Sequence, residues 1–171
     1  CLRLPGIDGK AKMSKSLGNC IYLAEDPKDI KKKVMSMFTD PNHIRIEDPG
    51  SLEGNTVFTY LDAFCNDQHF EEYLPDYKNL DELKEHYQRG GLGDVKVKKF
   101  LNNVLQEELE PIRKRREELQ KDIPYVYEVL KKGSEVARET AAQTLHEVRD
   151  AMKINYFDDM ELIRSQAKKY E

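Results

Sequence analysis

Lys12, Ser14, Lys15 and Ser16, set around Met13 within five residues, are the chain's densest group of side chains able to do chemistry. Lysine brings a mobile ammonium and serine a neutral hydroxyl donor. A leaving pyrophosphate gains negative charge as its bond to an α-phosphate breaks. Cations carried on a loop can therefore bind that transition state more tightly than the ground state. The segment follows an apolar stretch punctuated by Gly6 and Gly9, as such a loop requires. Most Lys/Ser-rich loops are only solvated turns, but this string is stricter. From average residue usage it arises by chance in a chain of this length on the order of once in ten thousand.

The pentapeptide is the KMSKS signature of the class I aminoacyl-tRNA synthetases, and its surroundings narrow the likeness. The chain resembles the tryptophanyl-tRNA synthetase family through Leu4-Pro5-Gly6-Ile7-Asp8-Gly9, Gly18-Asn19-Cys20-Ile21 and Met37-Phe38-Thr39-Asp40-Pro41. Further matches are Leu109-Glu110-Pro111-Ile112-Arg113-Lys114-Arg115-Arg116, Leu130-Lys131-Lys132-Gly133 and Ala137-Arg138, so essentially the whole chain is covered. The tyrosyl sister family fits less well, because its usual C-terminal RNA-binding appendix has no evident counterpart. The chain opens on Cys1-Leu2-Arg3-Leu4 and contains neither His-x-Gly-His nor a G-x-x-x-x-G-K loop. It is accordingly expected to be the second half of such an enzyme, without the HIGH motif and the amino-acid pocket, and inactive alone.

The resemblance implies that the loop closes over ATP. Lys12 and Lys15 would be catalytic, with Lys12, Met13, Ser14, Lys15, Ser16 and the backbone near Arg3 binding ATP. Met13 and Ser16 would mainly shape the loop, while Gly6, Asp8, Gly9 and Gly18 bracket a segment that must move. Tryptophan would attack the α-phosphate to give tryptophanyl-adenylate, and the 3′-terminal ribose of tryptophan tRNA would then take the aminoacyl group. Magnesium would travel on the phosphates, with no protein-bound metal. A cytoplasmic homodimer is implied, its contact surface largely in the half that carries the L-tryptophan pocket.

Composition is consistent with this picture. With 39% hydrophobic and 35% charged residues, the chain can bury a core, and it has no apolar run near the roughly 18 residues that span a membrane. Cys1, Cys20 and Cys65 lack C-x-x-C spacing and read as reduced thiols. His43, His69, His86 and His146 have no spacing suited to a metal or a triad. Net charge is −4, yet Asp94 to Arg116 holds seven cations and four anions, a local +3. An acidic protein with one basic stripe suits a selective RNA surface.

Residues 1–22 read as two short extended pieces around the loop, with Leu2 and Leu4 alternating and Cys20-Ile21-Tyr22-Leu23 following Gly18. From Asp26 onward the periodicity is helical. A helix should start at Asp26-Pro27 with Ile30, Val34, Met37 and Phe38 on one face and stop at Asp40-Pro41. Asn55 should cap a second helix, His69–Leu74 should give a short turn, and Asn79 with Glu82 should form a capping box before Gly90-Gly91. A long amphipathic stretch carries Val97, Leu101, Val104, Leu105, Leu109 and Ile112, with a kink or break expected at Pro111. Pro124 should open a segment that Gly133 terminates, Ser134 should cap the next, and Asp158 a tail helix. The expected architecture is mainly α. Residues 26–171 would form an anticodon-binding helical bundle, attached to a short α/β remnant of a Rossmann catalytic domain over residues 1–25.

On the long helix, Lys96, Lys99 and Asn103 recur at i, i+3 and i+7 opposite the apolar face, and Lys114 falls near the same azimuth. Together with Arg113 and Arg116, which match the family's basic run, they are the candidate tRNA-binding residues. By helical geometry Arg116 lands on the apolar side, as a snorkelling arginine, a buried ion-pair member, or a sign that Pro111 re-phases the helix. Two other readings stay open: a non-catalytic helical module binding RNA or protein, and a tyrosine–tRNA ligase fragment.

Overall fold

The computed structural model describes residues 3–170, and all regular secondary structure among them is helical. Seven helices follow in order: α1 Pro27–Met35, α2 Thr56–Phe64, α3 Asp67–Tyr73, α4 Leu80–Arg89, α5 Asp94–Gln120, α6 Ile123–Ala151 and α7 Met160–Ala167. They fall into two compact units, Cys1–Glu118 and Leu119–Glu171.

The helix starts in the first unit follow side-chain capping. The Asp26 carboxylate accepts from Lys28 N–H at 2.8 Å, with Pro27 occupying the first turn of α1. Asn55 accepts from Val57 N–H, and Asn66 and His69 form a reciprocal capping box at the head of α3. Asn79 accepts from Glu82 N–H, but the Glu82 carboxylate takes Lys78 N–H, so only half of the expected box forms at α4. α1 ends before Asp40-Pro41 because the backbone turns away. Phe38 N–H donates to the Ile7 carbonyl at 2.9 Å, which leaves the Phe38 ring 40% exposed and off the expected apolar face.

The core of this unit joins Ile30 and Val34 of α1, Phe58 and Leu61 of α2, Phe70 of α3, Leu83 and Tyr87 of α4, and Val97, Phe100, Leu101, Val104, Leu105 and Leu109 of α5. Each such side chain contributes about 1.5–3 kcal/mol by leaving water. One buried polar cluster ties the helices together at the start of α5. The Asp94 carboxylate accepts from Tyr87 OH at 2.7 Å, Thr39 Oγ1 at 2.8 Å and His43 Nδ1 at 3.1 Å. Burial by itself would raise the Asp94 pKa, but the hydrogen bonds from Tyr87, Thr39 and His43 outweigh it and hold the carboxyl below its ordinary value.

Three expectations are corrected. Of the kink or break expected near Pro111, the break does not occur: α5 runs unbroken through the proline, and Glu107, whose carbonyl the proline leaves without its helical donor, is an exposed residue. α6 also runs through Gly133 and Ser134 without stopping. An interior glycine costs only about 1 kcal/mol, and Ser134 Oγ donates back to the Leu130 carbonyl at 2.8 Å instead of capping a new helix. The tail helix is capped by Asp159, not Asp158.

No strand forms among the described residues, so the expected extended pieces reduce to one isolated antiparallel bridge between Pro5 and Lys12. Leu2 and Cys1 lie outside the described residues. In the second unit neither α6 nor α7 buries a residue, and Val136, Leu145, Val148 and Met152 are exposed. No helix among the described residues is long and apolar enough to cross a membrane.

Candidate functional site

The loop carrying Lys12 and Lys15 stands on a pinned turn. Gly6 N–H donates to the Ala11 carbonyl at 2.7 Å and Ile7 N–H to the Asn19 carbonyl at 2.9 Å, which closes the base of the loop. Beneath it, the Tyr60 phenol donates to the Pro5 carbonyl at 2.7 Å, fastening the turn to α2. Burial raises that phenol to about 12, so it stays a neutral donor. After the loop, Lys33 of α1 reaches the Cys20 carbonyl at 2.8 Å, pairs with Glu25 and lies over the Tyr22 ring.

The centre of the turn is Asn19, only 4% exposed. Its Oδ1 accepts from Ser14 N–H at 2.8 Å. Its Nδ2 donates to both Asp8 oxygens at 3.2 Å and faces the Lys12 carbonyl at 3.3 Å. Desolvation pushes the Asp8 pKa up, but hydrogen bonds from Lys10 N–H, Asn19 and Ala11 N–H together overcome it and hold the carboxyl below its usual range. Asp8 is therefore held as an anion within the turn that carries Lys12 and Lys15.

Lys12 and Lys15 are exposed, and neither forms an ion pair among the described residues. Ser14 and Ser16 share a hydroxyl hydrogen bond at 2.9 Å, and Met13 is half-buried. Arg3 is exposed, just ahead of the bridge at Pro5. Of the glycines expected to bracket a moving segment, only Gly18 has open space around it, with φ +65°. Gly9, at φ +68°, is pressed by Phe38 and Thr56, and a Cβ on Gly6 would lie 2.2 Å from Asn19 Nδ2. Of these three glycines, Gly6 and Gly9 are closely packed and Gly18 is not.

The candidate cations of α5 are placed differently. Lys96 pairs with Asp76 at 2.8 Å, Lys114 with Glu110 at 2.7 Å and Arg115 with Glu118 at 3.1 Å. Lys98, whose pKa burial lowers, is turned inward onto the Met35 carbonyl. Arg113 is folded back on Gln106, donating to its side-chain and main-chain oxygens at 3.0 and 3.3 Å. Lys99 and Arg116 are exposed and carry no ion pair among the described residues. Of the three placements that helical geometry allows Arg116, this exposure removes the buried ion pair. The stripe is also divided. Lys96 and Lys99 border a depression of about 620 Å³ with Tyr77 and His86, whereas Asn103 and Arg113 border another of about 280 Å³ with Tyr73 and Glu107.

A sequence family described as tRNA synthetases class I (W and Y) matches residues 3–110. The chain belongs to the class I tRNA synthetases of this W and Y group. It is 65% identical over 158 residues to the tryptophan–tRNA ligase of Clostridium longisporum, covering 92% of this chain and 44% of that protein. It is 58% identical over 155 residues to the tryptophan–tRNA ligase of Streptococcus agalactiae serotype V, covering 91% and 43%. Among solved structures, tryptophanyl-tRNA synthetase from Campylobacter jejuni complexed with ADP and tryptophan superposes with a TM-score of 0.68 at 27% identity, covering 88% of this chain and 43% of that one. The chain thus spans less than half the length of the relatives it matches.

The matched span of this synthetase family takes in the cationic loop and Lys96, Lys99 and Asn103, and it ends before Arg113, Lys114 and Arg116. Asn19 is the functional candidate that side-chain chemistry alone overlooks, because an uncharged amide beside a lysine-rich motif draws no notice.

Proposed function

We propose that the parent protein is a tryptophan–tRNA ligase and that this chain supplies its ATP loop and its helical tRNA-binding domain. On this reading residues 1–25 close the Rossmann catalytic domain and residues 26–171 form the helical domain. The observation that carries it is the pair of exposed, unpaired ammonium groups of Lys12 and Lys15 on a backbone turn fixed at its base. The tryptophan carboxylate attacks the α-phosphorus of ATP, the bond to the β-phosphate oxygen breaks, and pyrophosphate leaves with the electron pair. Lys12 and Lys15 neutralise charge gathering on that leaving group, while Ser14, Ser16 and the backbone near Arg3 orient the nucleotide. Magnesium enters on the phosphates. The tRNA 3′-terminal ribose hydroxyl then attacks the acyl carbon and AMP departs, a step for which these lysines are not needed. The chain alone, without the HIGH motif and the tryptophan pocket, is inactive, and the working enzyme is a cytoplasmic homodimer.

For RNA, Lys99 and Arg116 are the cations immediately available. Lys96, Lys114 and Asn103 stand beside them, the two lysines in exposed ion pairs that open at little cost. Arg113 serves mainly to tie together two turns of α5 through Gln106. ATP–pyrophosphate exchange by the full-length parent tests the reading. Exchange that depends on tryptophan and collapses in Lys12→Ala supports it. Exchange driven by tyrosine makes the parent a tyrosine–tRNA ligase, and none with either amino acid leaves a helical binding module.

A further inference from the structure

We propose that Asn19 is a positioning residue for the cationic loop, its carboxamide locking the Asp8 carboxylate to the Lys12 carbonyl and Ser14 amide so that both ammonium groups are held in register with a bound polyphosphate. The proposal rests on the function assigned above to Lys12 and Lys15. The same planar group must accept from Ser14 N–H and donate to Asp8 and Lys12, and it does so while almost wholly buried. Among uncharged side chains of this size only an amide offers an acceptor and two donors together. An aspartate here would set acceptor against acceptor at both Asp8 and the Lys12 carbonyl. The room for the amide is made by Gly6, where any Cβ would strike Asn19 Nδ2 at 2.2 Å and Asp8 Oδ1 at 2.8 Å.

The arrangement gives the lock a task beyond holding the fold. Lys12 and Lys15 contribute nothing to the hydrophobic core, and the loop beyond Ser14 is exposed up to Gly18, around which there is open space. The lock instead fixes the backbone on either side of Met13, from which the first lysine departs and the second follows. A charge displaced by about an ångström can cost a hundredfold in rate.

The test is made on the full-length parent, reading ATP–pyrophosphate exchange and thermal midpoint together. Asn19→Asp should lower kcat about tenfold to a hundredfold, with the KM for tryptophan within about twofold of the parent. The reciprocal exchange, Asp8→Asn combined with Asn19→Asp, again sets an amide against a carboxylate with reversed polarity, and should recover the part of that loss that comes from the contact with residue 8, while the Lys12 carbonyl still faces an acceptor. Gly6→Ala, which pushes on the carboxamide without removing any polar group, should slow exchange in the same way. Parental exchange rates in Asn19→Asp would overturn the proposal. So would a double variant no faster than the single one, or losses that track a lowered melting temperature and a raised KM for tryptophan. If Lys12→Ala is slow while Asn19→Asp and Gly6→Ala are not, this inference alone fails. If Lys12→Ala is itself silent, the assigned function fails first.

Discussion

The loop around Lys12 and the helix face that begins at Lys96 carry the same kind of side chain in opposite electrostatic states. In the loop, both motif lysines stand unpaired over a turn organised by one carboxylate, Asp8. On α5, whose start is organised by another carboxylate, Asp94, most cations are already engaged with Asp76, Glu110, Glu118, Gln106 or a main-chain carbonyl. A site that must stabilise charge appearing during a reaction gains from cations with no prior partner, since nothing has to be released when that charge forms. A surface that meets a polyanion at equilibrium can keep its cations paired, because exposed pairs contribute only about 0–1 kcal/mol each and are readily exchanged for phosphates.

The largest way to break this contrast is to remove the loop charges. Lys12→Ala or Lys15→Ala in the full-length parent should each slow tryptophan-dependent pyrophosphate exchange by about a hundredfold or more, some 2–4 kcal/mol of transition-state stabilisation. Melting temperature should not change, because neither side chain is in the core. An equal loss from Lys114→Ala would erase the distinction between the two regions.

Next in size is the carboxylate that anchors the helix. Asp94→Asn leaves the part-buried donors of Tyr87, Thr39 and His43 without an ionised acceptor and should destabilise the fold by about 1–3 kcal/mol at pH 7 in denaturant unfolding. The Asp94 pKa is depressed in the folded state, so its stabilisation is present above the unfolded carboxylate value of about 3.9 and disappears as pH falls through the folded value. The difference between parent and variant should therefore narrow below about pH 4. A gap that stays constant with pH would mean that the Asp94 charge is not what holds the start of α5.

These regions were unequally legible in the sequence. The motif and most of the α5 apolar face were plain, because one is a string and the other a period: Val97, Leu101, Val104, Leu105 and Leu109 all reach the core, whereas Ile112, in the same register, lies past the end of the core and stays 42% exposed. Caps at Asp26, Asn55 and Asn79 were visible because each is a single side chain acting on a backbone two or three residues away. Breaker residues misled. An interior glycine such as Gly133 costs only about 1 kcal/mol, too little to end α6, and α5 continues through Pro111 although an interior proline costs about 3 kcal/mol, because its apolar face is already committed to the core up to Leu109. Tertiary facts were hidden altogether. No spacing rule says that Phe38 N–H will be taken by Ile7, that Lys98 will turn onto Met35, or that an asparagine will bridge residues eleven positions apart.

The same contrast predicts smaller effects on RNA binding. If Lys99 and Arg116 are the cations available to tRNA phosphates, Lys99→Ala should reduce the salt dependence of tryptophan-tRNA affinity by about one unit of slope. Lys98→Ala, buried against the Met35 carbonyl, should leave that slope unchanged. Equal effects would place the RNA surface elsewhere on the helix.

The finest test acts on a partner rather than on a cation. Lys114 holds Glu110 one helical turn away at 2.7 Å, and this interaction both depresses the Glu110 pKa and occupies the ammonium. Glu110→Gln frees Lys114 at little cost to stability, because both members of this i,i+4 pair are exposed. It also removes an anion from the face that would meet the phosphates. Affinity for tRNA at low salt should therefore rise by about twofold, with a slightly steeper salt slope. Measured against Lys114→Ala alone, the same Glu110→Gln change should give a smaller gain, since no cation is left there to release and only the lost carboxylate contributes. An equal gain with and without Lys114 would come from the lost carboxylate alone, and Lys114 would then play no part in the RNA surface.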